Sequence, residues 1–244
     1  LEVPGLGQPH QLGVIPAGLV TVTTPTYPDL DSLIDATEPV PSGGVAAGGQ
    51  APTTEILAAR MLGIPIRQVF GYDGYGPIAL AVQRGEVAMA SPGDSAYLAT
   101  YRELVDSHAM TAQFQSGLID AGGNVVRSPL IPDIPTVVEL MQQRGVQPPD
   151  EATAEAFDAM MSLATLATAL LAHPDTPQAD LDALRGAFEE LSASPEWKDR
   201  STEAFGSPLP MMGAEAARPA YDTIFGLPDP VVETIRRAAA EGGA

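Results

Sequence analysis

The first half of the chain alternates between short β-branched runs and amphipathic segments of helix length. Strands are predicted at residues 19–24, 64–70, 87–90 and 109–115, with a weak one within 42–49. Helices are predicted at residues 29–36, 55–62, 77–84 and 95–107. Because strands that alternate with helices form βαβ units, the pattern predicts an α/β fold with a parallel or mostly parallel sheet.

The second half has a different pattern, in which only helices are predicted. A capping box at Thr136 opens the first helix, and further helices are predicted at 151–173, 178–193, 195–205 and as a pair across 214–241. The most apolar stretch, residues 159–172, is predicted to be part of a buried helix and is too short to span a bilayer. We therefore expect this tail to belong to a second lobe whose sheet is mostly absent.

The charge composition excludes several classes of partner. The 244 residues carry 12 Lys and Arg against 31 Asp and Glu, a formal net charge of −19, and Lys198 is the single lysine. This balance argues against nucleic-acid binding and against a polybasic membrane patch. The chain has no cysteine, and its three histidines lie far apart, so the sequence predicts no cofactor and no metal.

Three loops each follow a predicted strand and lead into a helix. They lie at residues 48–54, 71–76 and 91–95, where glycines allow close backbone approach and hydroxyl groups are frequent. Any one loop alone is equally consistent with ordinary turn and cap chemistry, and Thr53 or Thr54 is expected to cap its helix. Together the loops predict a binding site for an anion, with these candidate residues: Gly49, Gln50, Thr53, Thr54, Tyr72, Gly74, Tyr75, Ser91, Asp94 and Ser95.

An alternative function arises from the tripeptide Gly93-Asp94-Ser95, which resembles the nucleophile block of the GDS-type serine esterases. That family completes its triad with Asp-x-x-His near the C-terminus. His173 is the candidate histidine here, and no aspartate stands three residues before it. The competing interpretation is that Asp94 or Ser95 caps the following helix.

Four segments in a fixed order carry a second resemblance. They are LAARMLGIPIR at 57–67, VFGYDG at 69–74, LAVQRGEV at 80–87 and RSPLIPDIPTVVEL at 127–140. This order resembles the substrate-binding proteins of tripartite tricarboxylate transporters, the TctC or Bug family, over about residues 19–241. The proline-rich PDIPT at 132–136 is the most specific piece, and Arg84-Gly85-Glu86 is second.

The resemblance implies a two-lobed, Venus-flytrap fold of the periplasmic-binding-protein type and a receptor without catalytic activity. Such a receptor captures a small di- or tricarboxylate or an aromatic acid, and hands it to membrane permease subunits. It implies a periplasmic or extracytoplasmic location, with or without a membrane tether, and a monomer.

The family comparison also implies a division of the chain. Residues 1–24 correspond to an N-terminal remnant and hinge strand, 25–118 to the α/β ligand-binding lobe, and 119–244 to the crossover and the helical part of the first lobe. Since family members carry a longer N-terminal part, we expect one complete lobe and only part of the other.

Overall fold

A computed structural model describes residues 9–241 of the chain, so residues 1–8 of the predicted N-terminal remnant lie outside the described part. The strands are β1 His10–Ile15, β2 Val20–Thr23, β3 Val40–Gly43, β4 Ile66–Val69, β5 Met89–Ala90, β6 Thr111–Gln115, β7 Leu118–Ile119, β8 Val125–Val126, β9 Thr168–Ala172 and β10 Met212–Gly213. The helices are α1 Leu30–Ile34, α2 Gln50–Leu62, α3 Tyr75–Gln83, α4 Asp94–Ala96, α5 Arg102–Asp106, α6 Val137–Arg144, α7 Glu151–Thr165, α8 Gln178–Ala193, α9 Pro195–Phe205, α10 Arg218–Phe225 and α11 Asp229–Glu241. A π-helical turn, Tyr97–Tyr101, joins α4 to α5.

Local chemistry places several helix ends where the sequence predicts them. Asp29 caps α1 and Thr136 caps α6, each through a reciprocal capping box. Gly63 ends α2 with a φ of 74°, a left-handed conformation that glycine adopts without a steric penalty. The predicted helix at 95–107 is confirmed as one helical run that contains the π-helical turn.

The larger sheet has five strands in the order β4-β3-β5-β2-β6, with helices on both faces. The strands β3, β4 and β5 are parallel, whereas β2 is antiparallel to both β5 and β6. The prediction of a mostly parallel sheet is therefore wrong for half of the strand pairs. The reason is that β2 receives the chain from a second sheet at the edge where β3 and β5 end, so it must run in the opposite direction.

The second sheet is small and antiparallel, in the order β10-β1-β9. Helix α8 packs on it, and the Phe188 ring lies directly over Gly13 of β1. The expectation of a tail without strands is therefore wrong, as is the helix predicted to continue to residue 173. Helix α7 ends at Thr165, and Thr168–Ala172 pairs with β1 as an exposed edge strand. A short apolar run does not distinguish a strand from a buried helix, and here pairing with β1 decides.

One apolar core joins the two halves of the sequence. Helices α2, α6, α7 and α11 pack together on one face of the large sheet, with Leu57, Phe157 and Val231 buried among them. Helix α3 and the π-helical turn cover the other face.

The predicted domain boundaries at residues 24/25 and 118/119 stay predictions. Among residues 9–241, no helix is long and apolar enough to cross a membrane.

Candidate anion-binding cavity

The candidate site lies at the edge of the large sheet where the chain crosses to the small one. Strand β2 begins at this edge, β6 ends there, and an isolated bridge joins Leu19 to Gly93. The carboxyl ends of β3 and β5 lie at the same edge, because both strands run opposite to β2. Ligands of open α/β sheets bind outside such carboxyl ends.

Helix α2 presents its N-terminus to this edge. Its N-cap residue is Gly49, which offers no side chain to accept a hydrogen bond from the first turn. The backbone N–H groups of Gln50 and Ala51 belong to that turn and have no carbonyl partner within the helix, whereas Pro52 has no N–H at all. Free N–H groups together with the helix dipole favour an anion at this point.

A cavity of about 180 Å³ opens in front of this helix end. Its walls are the 43–46 loop that follows β3, the first turn of α2 at residues 49–52, and the side chains of Glu55, Tyr75 and Ser91. Gly44 leaves room for Phe70, because a Cβ atom at position 44 would lie 2.7 Å from the Phe70 ring. The cavity therefore combines N–H donors at one side with hydroxyl groups and a carboxyl group at its floor.

Glu55 is the centre of a buried polar network at that floor. Its side chain is 3% exposed. The hydroxyls of Ser42 and Ser91 both donate to Glu55 Oε1 at 2.7 Å, and the Gln68 amide donates to Oε2. Burial raises the pKa of Glu55 above its ordinary value of 4.5, and these hydrogen bonds offset only part of that effect.

Two phenols lie beside the network. Burial, and then the charge of Glu55, raise the pKa of Tyr75, which lines the cavity. The Tyr101 hydroxyl donates to the Tyr75 carbonyl oxygen at 2.8 Å, which holds the start of α3 against the π-helical turn. Both phenols are therefore neutral at physiological pH and act as hydrogen-bonding groups.

A second cavity, of about 370 Å³, shares one residue with the first. Gln50 lines both cavities, and the larger one is otherwise bounded mainly by Leu163 and Leu166 near the end of α7, by Leu171 of β9 and by Tyr221 of α10. The first turn of α2 thus contributes to the walls of both cavities.

Four of the ten predicted site residues line the first cavity, namely Gly49, Gln50, Tyr75 and Ser91. Thr53 and Thr54 lie inside α2, and their hydroxyls donate to the carbonyls of Gly49 and Gln50, four residues back. The expectation that one of them caps the helix is wrong, since the helix begins at Gln50 and Pro52 is already in its first turn.

The other four predicted residues do not line this cavity. Tyr72 packs against the core beneath α3, and Gly74 is the N-cap of α3, where its φ of 119° requires glycine. Helix α3 therefore begins two residues before Pro77, which was expected at its first position.

Asp94 is buried and serves a structural purpose. Its Oδ2 atom accepts hydrogen bonds from the Gly18 N–H at 3.2 Å and from the Ser128 hydroxyl at 2.9 Å, and its Oδ1 atom accepts one from the Ser95 N–H at 2.8 Å. Desolvation raises its pKa, and these hydrogen bonds oppose the shift. Asp94 thus joins the start of β2 to the segment after β8. The expectation that Asp94 or Ser95 caps the following helix is wrong, because the N-cap is Gly93 and no side chain caps the first turn.

The esterase alternative lacks geometric support in the described part of the chain. No hydrogen bond joins the Ser95 hydroxyl to a histidine among residues 9–241. The Nδ1 atom of His173 instead accepts a hydrogen bond from the Asp175 N–H just after β9.

The carboxyl group that defines the floor, Glu55, was not among the predicted site residues. In the sequence it is one polar residue within the helical segment TTEILAARML, and nothing local distinguishes it from a solvated position. Its burial follows from the packing of α2 on the sheet.

The chain has a two-lobed α/β fold of the periplasmic-binding-protein type. A comparison with protein-family models gives no match, and neither does a comparison with curated proteins. Among solved structures, the chain has the fold of the TctC-type solute-binding proteins, which confirms the predicted resemblance at the level of fold.

Three of these structures superpose over nearly the whole chain. A TctC solute-binding protein from Polaromonas, without ligand, matches with a TM-score of 0.61 and 10% identity over 96% of this chain and 68% of its own. Rpa4515 of R. palustris, with adipate, matches with a TM-score of 0.57 and 14% identity over 95% of this chain and 69% of its own. MatC from Rhodopseudomonas palustris, with bound malate, matches with a TM-score of 0.51 and 16% identity over 96% of this chain and 69% of its own.

Proposed function

We propose that this chain is an extracytoplasmic solute-binding receptor that captures a small carboxylate in the cavity at the N-terminus of α2. The observation that carries the proposal is the combination of free N–H groups at residues 50 and 51 with a cavity at the carboxyl ends of β3 and β5. An anionic carboxylate satisfies these donors and interacts favourably with the helix dipole. The solved neighbours with adipate and with malate support this ligand class.

The net charge of −19 does not oppose the binding of an anion. Exposed charges more than about 8 Å apart are largely screened at physiological ionic strength. Donors in the first turn of α2 act over hydrogen-bond distances and therefore decide binding locally. The adjoining second cavity gives the carbon skeleton of the ligand a surface on which to pack.

The receptor is proposed to act as a monomer without catalysis, and to deliver its ligand to the permease subunits of a tripartite tricarboxylate-type transporter. The TctC-type fold supports this assignment. Delivery by such a receptor requires that the loaded protein dock on the permease from outside the cytoplasm.

A single substitution tests the site without removing the fold. Ala51→Asp places a carboxylate at the second position of α2, where it stabilises the helix end but repels an anionic ligand. We expect the affinity for adipate and malate, measured by calorimetry, to fall at least tenfold.

The matched control is Ala179→Asp, which adds the same charge at the second position of α8, away from the cavity. It should leave the affinity unchanged. Equal binding by both variants, or no binding of any small carboxylate by the unmodified protein, would contradict the proposal.

A further inference from the structure

Glu55 presents an electrostatic problem for a site that takes an anion. Its carboxyl group is buried, and Glu55 lines the same cavity as the first turn of α2, which carries the N–H donors. An ionised Glu55 would place a second negative charge within a few ångströms of a bound carboxylate. When two carboxylates share a site, their repulsion strongly raises the pKa of one of them.

No such cation is present among the described residues. Glu55 takes part in no salt bridge there, and its partners from β3, β4 and the loop after β5 are the neutral groups of Ser42, Gln68 and Ser91. The titratable groups that face it from α3 and the π-helical turn are the phenols of Tyr75 and Tyr101, which carry no positive charge.

The arginines of the elements packed around Glu55 are engaged elsewhere. On α11, Arg236 pairs with Glu233, and Arg237 lies close enough to Asp150 to lower its pKa. Helix α7 carries no Lys or Arg.

The remaining arginines near Glu55 lie on α2, β4 and α6. On α2 itself, Arg60 pairs with Glu241, and Arg67 of β4 lines a separate cavity beside that pair. On α6, which packs against α2, Arg144 pairs with Asp31. The charge of Glu55 is therefore not compensated by any of these groups.

The Gln68 amide provides an independent geometric observation. Its Nε2 atom makes a very short contact with Glu55 Oε2, while its Oε1 atom is buried without a hydrogen-bond donor. If the amide is rotated by half a turn, its oxygen faces Glu55 Oε2 and accepts a hydrogen bond from a protonated carboxyl group.

We propose that this cavity takes up a carboxylate together with one proton, and that Glu55 is the group that carries the proton. The inference rests on the proposed function and adds the protonation state of the occupied site. In the loaded state Glu55 is a neutral acid that donates to Gln68 and still accepts from Ser42 and Ser91. The proton comes from solvent and returns to it when the ligand leaves.

Binding is then linked to pH with a defined sign. A bound anion raises the pKa of Glu55 further. At a pH between the pKa of Glu55 in the empty protein and its pKa in the loaded protein, Glu55 therefore takes up one proton for each ligand that binds. In that interval the affinity falls about tenfold for each unit of rising pH.

The experiment is calorimetric titration of the full chain with adipate at several pH values between about 6.5 and 8.5, where an ordinary carboxylic acid is already ionised. Each titration is repeated in two buffers of different ionisation enthalpy, which measures the number of protons taken up. The test variant is Glu55→Gln, which keeps an acceptor for both serines and cannot titrate. The matched control is Asp158→Asn on α7. Asp158 is also an acid with a raised pKa, but it lines a different cavity.

The unmodified protein and Asp158→Asn should bind adipate less tightly as pH rises and take up protons. Glu55→Gln should take up none and bind adipate at least tenfold more tightly than the unmodified protein at pH 8.5. Adipate binding without proton uptake, or proton uptake that persists in Glu55→Gln, would overturn the inference and leave the receptor proposal standing. The absence of carboxylate binding at every pH would overturn the receptor proposal itself.

Discussion

The network at Glu55 makes a quantitative prediction about stability, separate from ligand binding. Replacing Glu55 by Gln keeps an oxygen for the hydroxyls of Ser42 and Ser91, and the new NH₂ group can donate to Gln68 Oε1 once the Gln68 amide rotates by half a turn. The substitution also removes the cost of an ionised carboxyl group in a buried site, which is about 1.4 kcal/mol for each unit by which burial raises its pKa. We therefore expect Glu55→Gln to raise the free energy of unfolding by about 1–3 kcal/mol at pH 8.

The sign of the pH dependence follows from the raised pKa of Glu55. Above the ordinary value of 4.5 the unfolded chain loses this proton, whereas the folded protein keeps it up to the raised pKa. The folded state then binds more protons, so the unmodified protein loses stability as pH rises through this interval. Gln does not titrate, and the difference between the two proteins should be small at pH 4 and complete above the raised pKa.

Urea unfolding at pH 4, 6 and 8, followed by circular dichroism, measures this difference. For a chain of this length 1 kcal/mol corresponds to a shift of about 2–4 °C in Tm, so thermal melts provide a second measurement. Glu55→Ala serves as the contrasting variant, because it leaves three buried donors without their acceptor and should destabilise the fold. The reasoning is refuted if Glu55→Gln is less stable than the unmodified protein at pH 8, or if the difference between them does not change with pH.

Two further predictions concern the small sheet. A Cβ atom at Gly13 would lie 2.2 Å from the Phe188 ring, so Gly13→Ala should lower the free energy of unfolding by about 1–3 kcal/mol, measured by urea unfolding. Gly186→Ala on α8, where no atom lies within 4 Å, is the control and should be neutral or stabilising by up to about 1 kcal/mol. Leu170 on β9 is 53% exposed, so Leu170→Thr should change stability by no more than about 0.5 kcal/mol. A loss above about 2 kcal/mol would instead indicate the buried helix that the sequence alone predicts there.

Several features of the fold could be predicted because their causes are local. The capping boxes at Asp29 and Thr136 and the glycine at position 63 depend on residues no more than a few positions apart. The alternation of strands and helices could be predicted for the same reason, since it depends on short-range hydrophobic periodicity.

The prediction of the site was partial for a related reason. The loops at residues 48–54, 71–76 and 91–95 could be recognised by their glycines and their positions after strands, and residues from all three lie at or near the same sheet edge. Which side chains line the cavity could not be predicted. Asp94 and Glu55 are both buried carboxyl groups, and only the packing shows that Asp94 joins two chain segments whereas Glu55 faces the cavity.

The α/β class, most helix ends and the edge of the sheet at which a ligand could bind follow from the order of the amino acids. Long-range packing instead sets the direction of β2 against its neighbours, the strand at Thr168–Ala172 and the burial of Glu55. The two groups of features differ in the range of the interactions that produce them. Caps and periodicity are encoded within a few residues, whereas strand pairing and the burial of a carboxyl group depend on segments that are far apart in the chain and meet only when it folds.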